Sequence, residues 1–217
     1  MAGIGWENGK RWENYCGGAV ISNHTILTAA HCFFSHRAFF NNRHFSFVKR
    51  NKTKIRLGDQ RHNDKYDVLA KTYEINTVIG HPKYLGRGPK HDLAIVFTKE
   101  PIEFNARVKP VCIPTVFDNA PDKYSGEDVK FAGYGFYDSM SPFSNFLREA
   151  RFRVLSQSNC LNQNLYHRRR NAKDLFFCAG HVVSAFERFK MITYVFQNHR
   201  NFRMIEHGLA VAIPDRR

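Results

Sequence analysis

Apolar residues in this chain come in short bursts, each ended by a turn residue, and that rhythm leaves room for little besides antiparallel strands. Lys54-Ile55-Arg56-Leu57 stops at Gly58, Tyr73 to Ile79 runs into Gly80-His81-Pro82, and Leu93 to Thr98 ends before Pro101. Gly18 to Ile21 and Thr25 to Thr28 are two further runs, and Val129 to Gly133 and Arg151 to Leu155 continue the series after a turn-rich stretch. Runs of this kind, bounded by Gly, Pro and Asn, read as strands. No amphipathic helical pattern interrupts them before Cys160. Strands at such spacing favour a sandwich or a barrel. With 217 residues, 43% of them hydrophobic, the chain has material for one large all-β domain or two small ones.

Several function classes lose their support at this level. No internal repeat is visible, and no apolar run approaches the roughly 18 residues of a membrane-spanning helix. Met1 is not followed by a charged and then an apolar segment, so no signal peptide and no membrane span are expected in this chain. The formal charge of +14 suits an anionic partner, because a positive field concentrates polyanions, yet it specifies none. His36 to Lys54 interleaves Phe39, Phe40, Phe45 and Phe47 with cations, a mixture that stacks bases in single-strand binders. A long surface loop is the plainer reading of that stretch, and a solvated loop that of His167-Arg168-Arg169-Arg170, so no specific nucleic-acid partner is expected. Five cysteines leave one without an internal mate. Cys16 and Cys32 bracket a turn between two strand-like runs, and Cys160 and Cys178 bracket a basic loop of similar length; each closure would restrict the unfolded chain by about 3 kcal/mol. Zinc is disfavoured, because no Cys-x-x-Cys or paired Cys-His spacing occurs.

Three motifs carry chemistry: Cys16-Gly17-Gly18-Ala19-Val20-Ile21-Ser22, Thr28-Ala29-Ala30-His31-Cys32 and His91-Asp92-Leu93-Ala94-Ile95. An aspartate leading an apolar strand is an odd charge at the mouth of a core unless something pairs it, since an unpaired buried carboxylate is costly. Together the motifs resemble the trypsin-like serine endopeptidases of the chymotrypsin superfamily, peptidase S1. Arg56-Leu57-Gly58, His81-Pro82-Lys83-Tyr84, Pro110-Val111-Cys112-Ile113-Pro114 and Gly133-Tyr134-Gly135 resemble further landmarks of that family, the last with Tyr where Trp is usual. The likeness runs from about Tyr15 to Gly180.

The resemblance implies an all-β fold of two antiparallel six-stranded β-barrels. Residues 1–114 are expected to form the first, with His31 and Asp92. A partial second barrel is expected over 115–180, and 181–217 is a divergent tail of unknown fold, Val182 to Val195 being apolar enough to cover an edge as strand or helix. By family, His31 is the general base of Ser-His-Asp acyl transfer and Asp92 the carboxylate that orients it, while His91 receives no role. The family also pairs Cys16 with Cys32 and Cys160 with Cys178. Cys112 is then unpaired, either a bond to a missing light chain or pro-domain or a buried free thiol. Asn23 and Asn51 stand in Asn-x-Thr sequences that accept N-glycans. No metal and no cofactor are expected; Gln60, Arg61 and His62 offer few hard oxygens where some relatives carry a calcium loop.

One element of the pattern is missing. After Phe177-Cys178-Ala179-Gly180 the family continues to Gly-Asp-Ser-Gly-Gly, whereas this chain reads His-Val-Val-Ser-Ala-Phe-Glu-Arg-Phe-Lys-Met-Ile-Thr-Tyr-Val. Ser184 lies between Val183 and Ala185, without the glycines that let backbone N–H groups turn toward an oxyanion, and is read as an ordinary polar residue. The Ile-Val-Gly-Gly activation start and its receiving aspartate are absent as well. The nucleophilic serine being absent, the chain is expected to be inactive as written. The favoured reading is an incomplete version of an extracellular protease acting on protein or peptide substrates, its ends lost at exon boundaries. A non-catalytic homologue serving as binding partner or cofactor is the alternative, and a polyanion-binding protein a third.

Overall fold

In the computed structural model the described residues are 1–8, 11–34, 52–61, 67–86, 91–113, 124–134, 146–156, 158, 177–180, 192–197, 201–203 and 213–214. Six antiparallel strands come first: β1 (Ala2–Asn8), β2 (Arg11–Val20), β3 (Thr25–Thr28), β4 (Lys54–Leu57), β5 (Lys71–Gly80) and β6 (Ala94–Thr98). They close into a barrel in the order β1-β2-β3-β6-β5-β4. Closure gives each of the six strands a neighbour on both sides. β3, β4 and β6 alternate buried and half-buried positions with period two, as the pleat requires. Ile4, Ile26, Ile55, Leu57 and Val96 point into the barrel, and Phe33, with Phe34, belongs to the same core.

β1 has no counterpart in the sequence-based expectation, because Ala2-Gly3-Ile4-Gly5 lacks a β-branched run. Its glycines answer to the neighbouring strand instead. The register with β2 shifts between Ile4 and Gly5, and a Cβ on Gly5 would lie 2.0 Å from the carbonyl oxygen of Glu13. Only glycine fits so close an approach of two backbones.

The second sheet is open, so the expectation of one complete and one incomplete barrel holds. Its strands are β7 (Asp128–Gly133), β8 (Arg148–Leu155), β9 (Phe177–Gly180), β10 (Ile192–Gln197), β11 (Asn201–Arg203) and β12 (Ile213–Pro214), in the order β11-β10-β9-β8-β7-β12. The divergent tail thus supplies strands: β10 pairs with β9 through Ile192 and Ala179, and β12 pairs with β7. Val129, Phe131, Phe152, Val154 and Ala179 form a small core here, with Phe131 and Phe152 5.2 Å apart. The two sheets meet where Arg61 pairs with Phe146 and Leu147 donates its N–H to the Gln60 carbonyl at 2.9 Å. Tyr134, standing where Trp is usual, donates its hydroxyl to the backbone carbonyl of Asp59. Burial, then the nearby Asp59 carboxylate, pushes this phenol well above its ordinary value.

A short segment between β5 and β6 sets up the site. His81 donates its N–H to the Leu93 carbonyl at 2.8 Å, and Leu93 donates to the His91 carbonyl at 2.8 Å. His91 has φ +59°, an uncommon conformation for a residue with a side chain. Its ring stacks on that of His81, with centroids 4.9 Å apart and planes 10° from parallel. The Nδ1 of His81 accepts the Lys83 N–H at 3.1 Å. Burial, then the charges of His91 and Lys83, holds the His81 imidazole below its ordinary 6.5.

Two measurements check this description. Ile26→Ala empties a fully buried barrel position and is expected to cost about 2–5 kcal/mol in urea unfolding followed by tryptophan fluorescence. Ile79→Ala, at a side chain 56% exposed, is expected to cost under about 1 kcal/mol; equal losses would contradict the barrel orientation. For His81, a folded value below the unfolded one means that the unfolded chain binds more protons in the window between them. The resulting stability is present above pH 6.5 and is lost as pH falls through the lower folded value. A histidine NMR titration is expected to place the His81 midpoint below 6.5 and His91→Asn to raise it; a wild-type midpoint at or above 6.5 would contradict the stacked arrangement.

Candidate active site

β3 and β6 are neighbours in the barrel and end together, with Thr28 opposite Ala94. The chain that leaves β3 and the chain that enters β6 therefore lie at the same rim. Just past Thr28, the small buried Ala29 and Ala30 allow a tight 3₁₀ turn over Ala30–Cys32, closed by Phe33 donating to the Ala30 carbonyl at 3.0 Å. The Cys16–Cys32 disulfide ties this turn to β2, and the Thr28 hydroxyl donates to the Gly17 carbonyl at 2.7 Å. His31 is thereby held from two strands.

Asp92 completes the arrangement from the other side of the rim. Its side chain is 1% exposed, and each carboxylate oxygen has a donor on His31: Oδ1 accepts the backbone N–H at 2.7 Å, and Oδ2 meets Nδ1 at 2.7 Å. A carboxylate only accepts, so the proton between Oδ2 and the ring resides on Nδ1 and the lone pair on Nε2. For the neutral imidazole, 33% exposed, this contact selects the Nδ1–H tautomer and leaves Nε2 as the acceptor. An imidazole held this way can take a proton from a hydroxyl or water within reach of Nε2, with Asp92 stabilising the imidazolium formed.

The other expected site residues are distributed as follows. Cys16 and Cys32 form the anticipated bond. Cys112 is a free thiol and is exposed, which removes the alternative of a buried one. Cys178 falls within β9, opposite Leu155 and Thr193, while its expected partner Cys160 lies outside the described residues. Asn23 is exposed in the bend between β2 and β3; Asn51, Ser184, most of the stretch from His36 to Lys54 and the arginine run at 168–170 lie outside the described residues. Asp59 and Asp67 each meet a guanidinium, Arg56 at 2.7 Å and Arg107 at 2.6 Å, so arginines occupy the acidic groups that follow Gly58.

His91 is the residue that sequence reasoning passed over. Its left-handed backbone turns the chain immediately before Asp92, and nothing in its identity signals that conformation. Cys16 Sγ, His31 Nε2 and Cys32 Sγ lie within 4.8 Å of one another, a metal-like donor set whose sulfurs are here joined in the disulfide.

Comparison with known proteins agrees with this geometry. The family model described as Trypsin matches residues 1–186. The chain is similar to Venom serine protease Bi-VSP of Bombus ignitus, 32% identical over 171 residues that cover 77% of this chain and 43% of the relative. It is similar to Clotting factor G beta subunit of Tachypleus tridentatus at 28% identity, covering 74% of this chain and 47% of that protein. Serine protease snk of Drosophila melanogaster is 27% identical, covering 84% of this chain and 39% of its own length. The chain spans less than half the length of these curated relatives. With a closed antiparallel barrel, an aspartate clamped on its histidine and a family match over most of its residues, the chain belongs to the trypsin family of serine proteases.

Proposed function

We propose that this chain is the base-bearing part of an extracellular trypsin-like endopeptidase and that these 217 residues do not themselves hydrolyse peptide bonds. The Asp92 clamp on His31 carries the first half of the proposal: one carboxylate oxygen accepts the His31 backbone N–H and the other meets its ring at Nδ1. In Ser-His-Asp catalysis that imidazole takes the serine proton as the hydroxyl attacks the scissile carbonyl, then returns it to the leaving amine. The second half rests on the sequence after Gly180, where no Gly-Asp-Ser-Gly-Gly follows. Losing the serine alone from such a triad lowers turnover by about a million-fold.

The division at residues 114 and 180 belongs to the same reading, with 181–217 in place of the nucleophile module. A buried disulfide fits an oxidising, extracellular compartment, as do relatives named for venom and clotting. Among the described residues no helix is long and apolar enough to cross a membrane. Protein or peptide substrates follow from the family, and the exposed Cys112 thiol is where a light chain or pro-domain would bond.

Incubating the purified chain with a serine-directed fluorophosphonate and with a mixed peptide library is expected to give neither labelling nor cleavage. Covalent labelling, or cleavage abolished by His31→Ala, would overturn the assignment of inactivity. Transcripts are expected to include one that continues past the Gly180 codon into Gly-Asp-Ser-Gly-Gly. If every transcript runs into the 181–217 tail, the chain is instead a non-catalytic binding homologue.

A further inference from the structure

We propose that, once the Cys16–Cys32 bond is reduced, the chain binds one zinc-class divalent cation through Cys16 Sγ, Cys32 Sγ and His31 Nε2. Nε2 lies 4.0 Å from Cys16 Sγ and 3.8 Å from Cys32 Sγ. With zinc–sulfur bonds of about 2.3 Å and zinc–nitrogen bonds of about 2.0 Å, tetrahedral ligand atoms stand about 3.5–3.8 Å apart. The imidazole is therefore almost at ligand distance from both sulfurs. Only the sulfurs have to separate, by side-chain rotation about α-carbons 6.1 Å apart.

Two further features favour a metal over an idle pair of thiols. Asp92 Oδ2 lies 2.7 Å from His31 Nδ1 and accepts its N–H, which turns the Nε2 lone pair toward a metal and supplies the carboxylate–histidine–metal relay that orients such ligands. Both cysteines are buried while the histidine is partly exposed, so the sulfurs are shielded from water and a fourth ligand would approach from the histidine side. Two thiolates with one imidazole select zinc or cobalt(II) over calcium and magnesium.

The chemistry balances with a thiol reductant. Two thiols give up two electrons and two protons to the Cys16–Cys32 bond and become a disulfide themselves. The cation then displaces both cysteine protons to solvent and takes the Nε2 lone pair. The base of the dyad is thereby unavailable under reducing conditions and is released on oxidation. This inference goes beyond the proposed function and holds whether or not a nucleophile is ever present.

The test uses the full chain carrying Cys112→Ser, reduced with a phosphine and titrated with Co2+. One Co2+ per chain is expected, with a near-ultraviolet thiolate-to-cobalt band and the visible bands of a tetrahedral site, both bleached by Zn2+ and absent from the oxidised chain. Asp92→Asn is expected to weaken binding about 10–100-fold, and His31→Gln to abolish the tetrahedral spectrum. The proposal is overturned if the reduced chain shows no such bands, or if His31→Gln binds as tightly. It is overturned equally if reduction removes the near-ultraviolet circular dichroism of the fold and Co2+ does not restore it.

Discussion

A buried carboxylate with both oxygens committed to one residue is the interaction around which the barrel rim is organised. Asp92 is almost wholly removed from water, a position that is costly for an isolated charge and tolerable for one that accepts charge-stabilising hydrogen bonds. One of its two donors on His31 is backbone and the other is the ring. The clamp therefore fixes the path of the Ala30–Cys32 turn as well as the tautomer of the imidazole. Without the β3–β6 pairing the two would not meet, since 61 residues separate them in the chain. The family's chemistry depends on a basic nitrogen held still before the reaction, and here a strand pairing and the two Asp92 hydrogen bonds hold the ring that carries it.

The same rule, that buried polar groups must find partners, explains how the two sheets join. Tyr134 brings a hydroxyl into an enclosed position and gives it to the Asp59 carbonyl, while the Asp59 side chain meets Arg56. Around the first sheet, closure gives every strand a neighbour on both sides. The second sheet has no such closure, and short tail strands lie along both of its sides. The family match ends at residue 186, before the tail strands begin at Ile192.

Much of the barrel was legible because its strands obey a simple period. Lys54–Leu57 was readable to the residue, since alternating burial writes itself into alternating hydrophobicity, whereas Thr25–Thr28 was readable as a short β-rich run, its buried Thr28 being polar. β1 was not, because Gly3 and Gly5 answer to the backbone of β2 and contribute no hydrophobic pattern. The tail was legible only as an apolar stretch, Val182 to Val195, able to cover an edge as strand or helix, because short strands at a sheet edge take their structure from the partner that is already in place. His31 and Asp92 were found through their neighbours in sequence, whereas His91 was not, because a positive φ is a property of the fold around a residue. The Cys16, His31 and Cys32 donor set was hidden in the same way, its sulfurs lying at no spacing that resembles a metal motif.

The tautomer of His31 tests the central claim most directly. In nitrogen-15 and proton NMR of the intact chain, the Asp92 clamp is expected to give a proton on Nδ1 at low field, with the neutral ring in the Nδ1–H tautomer, and the low-field signal is expected to disappear in Asp92→Asn. A neutral ring carrying its proton on Nε2 in the wild-type chain, or a low-field signal unchanged by Asp92→Asn, would contradict it.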